Sequence, residues 1–235
     1  MLIEDLHTHT RYSHGLGTVE QNVRAALLAG LKRIGIAEHG PKHLFFPVKW
    51  GALKRLRAEV DLMNSKYSGR IEVLMGLEAN LLGDGLTDVP SDTSIFDYIL
   101  LGYHKGTVPA DKLSRSWARH LLFRQADKYG SSNAKAYEKA MEATPKLLAI
   151  THPGTYIPVD IELLAKAASA HSVALEINNS HRSLTKEALI KAKDQGAKFL
   201  LSSDAHSPSR VGNVLNALEL AKDAGVLEQV INWAP

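Results

Sequence analysis

Short runs of apolar residues alternate with longer amphipathic segments along the whole chain. Most of these runs are apolar almost throughout, which is typical of parallel strands that are buried on both faces. The repeated strand–helix order favours an α/β fold over a sandwich or a helical bundle. The pattern predicts seven strands, at Leu2–Leu6, Arg33–Ala37, Ile71–Leu77, Tyr98–Leu101, Leu147–Ile150, Val173–Ile177 and Phe199–Ser202.

Helices are predicted in most of the gaps between these strands. Thr18 and Gln21 have the spacing of a capping box at the start of the first helix, and Gly30 is placed to end it. The longer stretch Lys105–Pro145 is predicted to hold two helices that separate near Gly130. Further helices are predicted over Gly51–Tyr67, Pro158–Ala170, Leu184–Gln195 and Ser209–Ala224, and loops over Gly40–Lys49 and Leu82–Ser94.

Two architectures fit seven parallel strands with intervening helices: a doubly wound open sheet, or a closed and distorted barrel of the triosephosphate-isomerase kind. The strand pattern does not choose between them. The first strand leads into His7-Thr8-His9-Thr10 and not into a glycine-rich phosphate loop, which argues against a Rossmann domain. The chain shows no repeat, low-complexity tract or linker, so residues 1–235 are predicted to form a single domain.

Composition restricts the chemistry that this chain can carry. A hydrophobic content of 45% supplies a substantial core and excludes intrinsic disorder. The sequence has no cysteine and 11 histidines. Disulfides, iron–sulfur clusters, thiolate zinc sites and cysteine nucleophiles are therefore excluded, and any chemistry must use histidine and carboxylate side chains.

The nearly even balance of basic and acidic residues does not identify a binding partner. Lys and Arg number 28 against 25 Asp and Glu, a formal net charge of +3, so nucleic acid is not favoured on charge alone. The chain begins without a basic segment followed by an apolar stretch, and no apolar run reaches the roughly 18 residues that span a membrane. We therefore expect a cytoplasmic protein with no membrane partner.

Six of the predicted strands are followed, at their carboxyl ends, by side chains that bind metals. In α/β folds that edge is where active sites are built. The pairs His7 and His9, and Asp204 and His206, each share one face of extended chain. A cluster of uncompensated polar groups there would cost stability, so packing alone explains it poorly. The candidate ligands are His7, His9, His14, His39, Glu78, His104, His152, Asp204 and His206.

Nine candidate ligands exceed what one metal ion needs. A single zinc takes roughly three or four protein ligands, so the set indicates roughly two or three divalent ions, with a carboxylate bridging between them. Histidine and carboxylate ligands fit zinc, manganese or iron and do not choose among these metals. Paired ions suit phosphoryl transfer, because they generate hydroxide near neutral pH and offset charge on the phosphate and leaving oxygen.

The ordered motifs resemble the PHP family, whose name joins polymerase and histidinol phosphatase. The match runs from residue 5 to residue 206. The resemblance implies a distorted seven-stranded (β/α)7 barrel with a trinuclear metal site, and so favours the barrel over the open sheet. The motifs that carry it are His7-x-His9, Ser13-His14-Gly15, Glu38-His39, Glu78, Gly102-Tyr103-His104, His152-Pro153 and Ser203-Asp204-Ala205-His206.

Carried over to these positions, the resemblance implies a role for each of the nine ligands. One metal would be held by His7, His9, Glu78 and Asp204. Glu78 would bridge to a second metal, held also by His104 and His152. The third would be held by His14, His39 and His206. No expected ligand is missing, so we expect a competent catalyst, with catalytic roles for Glu78, Asp204 and His206.

Residues outside the ligand set receive weaker assignments. Cations within a few residues of strand ends are candidates for phosphate binding: Arg11, Lys105, Arg182 and Arg210, with Lys42 and His181 beside them. Carboxylates at or near strand ends either orient metal-bound imidazoles or make structural hydrogen bonds: Asp5, Glu38 and Glu176. No role at the site is expected for His43, or for His120 and His171 in predicted helices.

The leading hypothesis is a metal-dependent phosphoesterase in which a metal-bridging hydroxide attacks a small phosphate monoester. The stretch from Ser13 to Pro41 resembles stand-alone histidinol phosphatases, so histidinol phosphate is a candidate substrate by analogy. A PHP-type nuclease or nucleotide phosphatase is the alternative enzyme, and nucleic acid would be a partner only in that case. The aromatic content of 6% counts against a long single-stranded substrate. A metal-stabilised module without activity is the third hypothesis.

Overall fold

The computed structural model describes residues 1–123 and 129–234, and within them it contains all seven predicted strands. The first strand starts two residues later than expected, because Leu2 and Ile3 pair with the C-terminal segment near Trp233. The second and third strands extend further and include His39 and Glu78. The strands are β1 (Glu4–Thr8), β2 (Arg33–His39), β3 (Glu72–Asn80), β4 (Tyr98–Gly102), β5 (Leu147–Ile150), β6 (Ala174–Asn178) and β7 (Phe199–Ser202).

The strands form one parallel sheet in the order of the chain, from β1 to β7. Beyond the end of β7, a parallel bridge joins Thr8 of β1 to Ala205. There the His9 amide donates to the Ala205 carbonyl at 2.8 Å, and the Ala205 amide donates to the His7 carbonyl at 3.2 Å. The sheet is therefore a nearly closed barrel, as the family resemblance implied, and not a doubly wound open sheet.

At the other end of the β1–β7 seam, the C-terminal segment fills the gap between the strands. The side-chain NH₂ of the buried Asn232 donates to the carbonyls of Glu4 in β1 (3.0 Å) and Leu201 in β7 (2.7 Å). Its side-chain oxygen accepts from the Leu201 amide at 3.0 Å. One side chain thus satisfies backbone groups on both strands where direct pairing is interrupted.

Replacing Asn232 with alanine should therefore destabilise the barrel. The change leaves buried backbone groups of Glu4 and Leu201 without partners, and each such group costs about 1–3 kcal/mol. We expect the free energy of unfolding to fall by about 3 kcal/mol in urea titrations. The exposed Asn213 is the matched control, and Asn213→Ala should change stability by less than about 0.5 kcal/mol. A loss below about 1 kcal/mol for Asn232→Ala would contradict this account of the seam.

The barrel interior packs around Tyr98 of β4. Its hydroxyl donates to the Leu6 carbonyl at 2.6 Å across the barrel. A Cβ at Gly35 would lie 1.9 Å from the Tyr98 hydroxyl oxygen, and one at Gly76 would lie 2.4 Å from its ring. Two strand glycines thus make room for one large ring, and Leu6, Leu100 and Leu200 pack beside it in this inner cluster. The larger apolar core lies between the outer face of the sheet and the helices.

Helices fill the connections, and their starts follow local capping chemistry. The predicted capping box is present, with the Gln21 amide 3.1 Å from the Thr18 hydroxyl and the Thr18 amide 2.9 Å from the Gln21 side-chain oxygen. Asp160 and Thr185 cap two later helices, which therefore begin a few residues after the predicted starts. The helices are α1 (Val19–Leu28), α2 (Trp50–Lys66), α3 (Lys112–Phe123), α4 (Gly130–Ala143), α5 (Ile161–Ala170), α6 (Lys186–Asp194) and α7 (Leu215–Asp223).

The prediction of a single helix over Ser209–Ala224 was wrong in its first part. A short 3₁₀ turn occupies Pro208–Arg210, and α7 begins only at Leu215. Gly212 adopts a φ of 75°, which no right-handed helix accommodates, and it separates the two elements. The two helices expected between Lys105 and Pro145 are present, the second starting at Gly130, while residues 124–128 lie outside the described residues. Across the described parts of the chain, no helix combines the length and apolarity needed to cross a membrane.

Candidate metal centre

The nine predicted ligands converge on the carboxyl edge of the barrel. His7, His39 and Glu78 lie near the carboxyl ends of β1, β2 and β3, and the other ligands follow strands β1, β4, β5 and β7. Seven of the nine side chains are buried, whereas His14 and His206 are half-buried. Consecutive parallel strands in one barrel bring these sequence-distant side chains together, which explains why the ligand motifs are spread over about 200 residues.

Glu78 is at the middle of the cluster. Its Oε1 lies 3.0 Å from His104 Nε2 and 3.1 Å from His152 Nε2, and these two nitrogens are 3.2 Å apart. His7 Nε2 approaches the same oxygen at 3.2 Å. On the other side, Oε2 lies 2.7 Å from His39 Nδ1. The two oxygens of one carboxylate therefore face different imidazoles, which is the arrangement of a bridging ligand.

Asp204 faces a second set of imidazoles. Its Oδ1 lies 3.4 Å from His9 Nε2, 3.7 Å from His7 Nε2 and 3.5 Å from His206 Nδ1. The backbone of Asp204 has a φ of 51°, in the left-handed region that asparagine and aspartate tolerate better than most residues. His152 has a φ of 28°, a more strained value. Strain of this kind concentrates at functional sites, and here it falls on two candidate ligands.

Among the residues that the structure describes, three groups of ligand atoms are close enough to hold an ion: His7, His9 and Asp204; His39, Glu78 and His104; and His9, His39 and His206. His152 and His14 are outside these groups; His152 Nε2 lies 3.1 Å from Glu78 Oε1. For His14, the contacts are with other rings. Its ring lies 4.2 Å from that of His206 and stacks on that of His39 at 4.8 Å, so it lies beside the third group.

The acidic groups of the cluster are ionised in this environment. Burial raises the pKa of the Glu78 carboxyl, but the imidazoles of His104 and His7 outweigh burial and hold that pKa well below its usual range. The same balance, with His7 and His9 as partners, holds the pKa of Asp204 well below its usual range. Two ionised carboxylates in one buried cluster provide negative charge for divalent cations.

The imidazoles differ in their protonation. Burial lowers the pKa of His7, but the carboxylates of Glu78, Glu176 and Asp204 outweigh burial and raise it well above its ordinary value. For His9, burial and the neighbouring His39 lower the pKa well below its ordinary value. His9 is therefore neutral and ready to ligate, whereas a metal that binds His7 must displace a proton.

The hydrogen-bond pattern tests whether these residues fit metal ions. Among the described residues, several buried ring nitrogens and one carboxylate oxygen of the cluster have no hydrogen-bond partner, although they lie close to one another. Orphaned buried polar atoms of this kind are rare in folded proteins and call for an ion or another partner. These atoms are His7 Nε2, His9 Nδ1 and Nε2, His14 Nδ1, His39 Nδ1 and Glu78 Oε2. The donor set therefore fits divalent cations that take nitrogen and oxygen ligands.

Glu176 of β6 orients the ligands around it. Its Oε1 lies 2.6 Å from His7 Nδ1, so that His7 directs Nε2 toward the cluster. Its Oε2 accepts from the backbone amide of His152 at 2.6 Å and from the side-chain NH₂ of Asn178 at 3.0 Å. Of the three strand-end carboxylates considered from the sequence, Glu176 is the one that contacts a candidate ligand's ring within hydrogen-bond distance.

Asp5 and Glu38 instead hold backbone segments. Asp5 accepts from the amides of Ser203 (3.2 Å) and Gly212 (2.8 Å), which ties β1 to the segment after β7. Glu38 accepts from the Thr10 amide at 2.9 Å and from the Ser13 hydroxyl, which fixes the loop between His9 and His14. Both make the structural hydrogen bonds that were the alternative expectation for them.

Sequence reasoning missed a second orienting pair. The Asn80 side-chain oxygen lies 2.8 Å from His104 Nδ1, which directs the opposite nitrogen toward Glu78. Asp88 accepts from the Asn80 amide and its side-chain NH₂, each at 2.6 Å. Asn80 follows Glu78 by two positions on the same face of the strand, so its spacing could have predicted a place at the site. Asp88 lies in a loop, and no spacing in the sequence predicts that it contacts Asn80.

Replacing Glu176 with glutamine should weaken metal binding while preserving the fold. Glutamine keeps the shape but loses the charge that orients His7, and changes of such outer groups typically cost about 10–100-fold in metal affinity. Competition with a fluorescent chelator measures this affinity. The control is Glu142→Gln, an exposed carboxylate on α4. An affinity within twofold of the unaltered protein would contradict the orienting role.

A cavity of about 250 Å³ opens onto the cluster, which we call the metal cavity. Of the predicted substrate-binding cations, Lys105 lines it, with its Nζ 5.0 Å from the centre of the Tyr156 ring. His181 also lines it, and its Nε2 lies 3.5 Å from Asp204 Oδ2. This volume accommodates a phosphate group and part of an attached alcohol.

The other predicted cations lie outside the metal cavity. Arg11 lines a neighbouring cavity, and Arg182 lines a cavity of about 260 Å³ that shares His181 with the metal cavity. The Arg210 guanidinium donates to the Ser180 hydroxyl at 2.9 Å. Lys42 contacts Asp88 through its backbone amide at 2.9 Å.

Three rings at the metal cavity were not expected from the sequence. His43 stacks on His39 at 4.9 Å, although no role at the site was expected for it, and burial lowers its pKa to about 4. Phe46 stacks on His14 at 4.3 Å. Tyr156 lies 5.9 Å from His152. All three belong to loops after strands, where single-sequence patterns carry little information about side-chain direction.

The fold and site together define a (β/α)7 barrel that carries a buried histidine–carboxylate cluster at its carboxyl edge. Residues 5–203 match the family described as PHP domain. A relative from Thermoanaerobacter sp. (strain X514), named "Probable phosphatase", is 32% identical over 98% of this chain and 89% of its own length. One of the same name from Enterobacter sp. (strain 638) is 31% identical over 98% and 90%. The chain therefore belongs to the PHP domain family.

A solved structure agrees with the architecture. The histidinol phosphate phosphatase of Lactococcus lactis, crystallised with zinc, L-histidinol and phosphate, superposes with a TM-score of 0.65. The alignment covers 94% of this chain and 93% of that one at 16% identity. At this identity the similarity establishes the shared barrel fold.

Proposed function

We propose that this PHP-family chain is a metal-dependent phosphoesterase that hydrolyses a small-molecule phosphate monoester. The observation that carries the proposal is Glu78, whose two buried oxygens face different imidazoles: Oε1 faces those of His104 and His152, and Oε2 faces that of His39. The relatives at 32% and 31% identity bear the name phosphatase, so hydrolysis of phosphate esters is the activity class that homology supports.

The residues that would hold the metals are the nine ligands at the carboxyl edge, with Glu78 between the ions. Divalent ions bound there would lower the pKa of a bound water and offset charge on the phosphoryl and leaving oxygens. The ionised carboxylates of Glu78 and Asp204 balance that positive charge, and Glu176 keeps His7 in the ligating orientation. We propose a trinuclear centre, as the nine-ligand set implies.

Residues at the rim of the metal cavity would bind and enclose the phosphate. The Lys105 ammonium provides a positive charge at the mouth, where it pairs with a phosphate oxygen. Phe46 and Tyr156 also line the cavity and would exclude water from the bound ester. A cavity of about 250 Å³ favours a small alcohol over a polymeric leaving group.

Histidinol phosphate is the first substrate to test, on the resemblance of the Ser13–Pro41 stretch to stand-alone histidinol phosphatases. The Lactococcus lactis protein with this barrel was crystallised with L-histidinol and phosphate. Short oligonucleotides and nucleotides test the nuclease alternative in the same assay.

The experiment is a phosphate-release screen on protein reconstituted with zinc, manganese or iron. We expect turnover of at least one monoester, and its loss in His104→Ala while circular dichroism shows an intact fold. Release of mononucleotides from oligonucleotides, without monoester turnover, would replace the phosphatase proposal with the nuclease. Fully metal-loaded protein that hydrolyses no ester in the panel would overturn both and leave the non-catalytic module.

A further inference from the structure

A second and larger cavity lies directly beside the metal cavity. Its volume is about 670 Å³, and it shares the side chains of Phe45 and Phe46 with the metal cavity. We call it the second cavity. Its remaining walls come from the loop that follows β1 and from the start of α2, and include Arg11, Tyr12, Lys49 and Arg55.

The second cavity is positively charged. Arg11, Lys49 and Arg55 line it, and Glu59 is its one acidic lining residue. Glu59 accepts a hydrogen bond from the Tyr12 hydroxyl at 2.9 Å. Within residues 1–123 and 129–234, the side chains of Arg11, Lys49 and Arg55 make no hydrogen bond or ion pair. Three uncommitted cations around one concave space are suited to an anionic ligand.

The side chains of Phe45 and Phe46 form the wall that the two cavities share. Phe46 packs on His14 with ring centres 4.3 Å apart, and His14 lines the metal cavity. Arg11 follows the ligand His9 by two residues, in the loop that Glu38 fixes through Thr10 and Ser13. Phe45 and Phe46 are 69% and 43% exposed, so the wall between the cavities is an open apolar surface. A short flexible molecule lying along these rings would reach both cavities.

We propose that the second cavity binds a second anionic group of the substrate. The preferred substrates are then phosphate monoesters in which a short uncharged spacer joins the reacting phosphate to another phosphate or a carboxylate. This inference rests on the proposed function, because the reacting phosphate occupies the metal cavity. Histidinol phosphate carries a protonated amine that the cations of the second cavity repel, so doubly anionic esters should rank above it.

The test uses ligands that are not hydrolysed. Binding of α,ω-alkylene bisphosphonates of increasing chain length is compared by calorimetry with that of alkyl monophosphonates of matched length, on metal-reconstituted protein. We expect the bisphosphonate to bind about tenfold or more tightly than the monophosphonate at one preferred chain length. A charge-assisted hydrogen bond contributes about 1.5–3 kcal/mol, and about 1.4 kcal/mol is a factor of ten in affinity. A parallel series of ω-carboxyalkyl phosphonates shows whether phosphate or carboxylate is the better distal group.

The variant that tests the assignment combines Arg11→Ala with Arg55→Ala. We expect its ratio of bisphosphonate to monophosphonate affinity to fall to about one. The control combines Arg24→Ala with Lys54→Ala, which removes the same charge from exposed positions on α1 and α2 that do not line the cavity, and its ratio should stay that of the unaltered protein.

The outcomes separate this inference from the proposed function. A ratio near one at every chain length, or a ratio that the Arg11–Arg55 variant leaves unchanged, overturns the second-cavity assignment even if monoesters are hydrolysed. A high ratio that depends on Arg11 and Arg55 supports it, and absence of phosphate release from every ester would then count against the proposed activity alone.

Discussion

Replacing Glu78 with glutamine should abolish the multinuclear centre and reduce kcat/KM for the monoester by about 10³-fold or more. The buried Glu78 carboxylate faces imidazoles with both oxygens, at 3.0 Å from His104 and 2.7 Å from His39. Glutamine has the same shape but no charge. One of the two carboxylate oxygens is replaced by an NH₂ group, which donates hydrogen bonds and does not ligate a metal ion. Metal ions contribute several kcal/mol of transition-state stabilisation, and each 1.36 kcal/mol is a factor of ten in rate.

Elemental analysis and steady-state kinetics on the same preparation measure both effects. The control is Glu138→Gln, an exposed carboxylate on α4, which should keep the metal content and the rate of the unaltered protein. A Glu78→Gln protein that retains its full metal content, or that turns over within threefold of the unaltered enzyme, would show that Glu78 does not bridge the ions.

Removal of the metals should lower the melting temperature by about 10 °C. Ions that bind only the folded chain stabilise it by about 4 kcal/mol at a thousandfold excess over Kd, and each kcal/mol shifts Tm by about 2–4 °C in a chain of this size. Without ions, the orphaned nitrogens of His7, His9 and His39 stay buried without partners. Differential scanning calorimetry before and after dialysis against a chelator measures the shift.

Readdition of zinc or manganese should restore the melting temperature of the unaltered protein. The double variant His104→Ala with His152→Ala is the control, since it lacks two of the proposed ligands next to Glu78 and should respond to chelator by a smaller shift. A melting temperature that chelation and readdition leave unchanged would contradict a buried metal cluster.

The sequence predicted the strands well because parallel strands buried on both faces are read directly from apolar runs. It also predicted which side chains would converge at the carboxyl edge of the barrel. Residues such as His39 and Asp204 stand at the end of an apolar run, so the strand before them sets their position. The choice between barrel and open sheet depended on the Thr8–Ala205 bridge and on Asn232, contacts between the two ends of the chain that no local pattern reports.

Side chains on loops were the least predictable. Lys105 lines the metal cavity but Arg11 lines its neighbour, although both follow strand ends by a few residues. His43 turns toward His39 because its loop folds back, with the Leu44 amide donating to the Gly106 carbonyl at 2.9 Å. Directions of this kind are set by contacts between loops, which spacing along one strand does not determine.

We propose that hydrolysis of phosphate esters by this chain depends on a metal cluster built around Glu78. The most direct test titrates metal-free protein with zinc or manganese and records phosphate release against the number of ions bound per chain. We predict no release from the metal-free protein, and activity that rises to a plateau at roughly two to three ions per chain. Release at an undiminished rate from the metal-free protein, or a plateau at a single ion, would contradict the account.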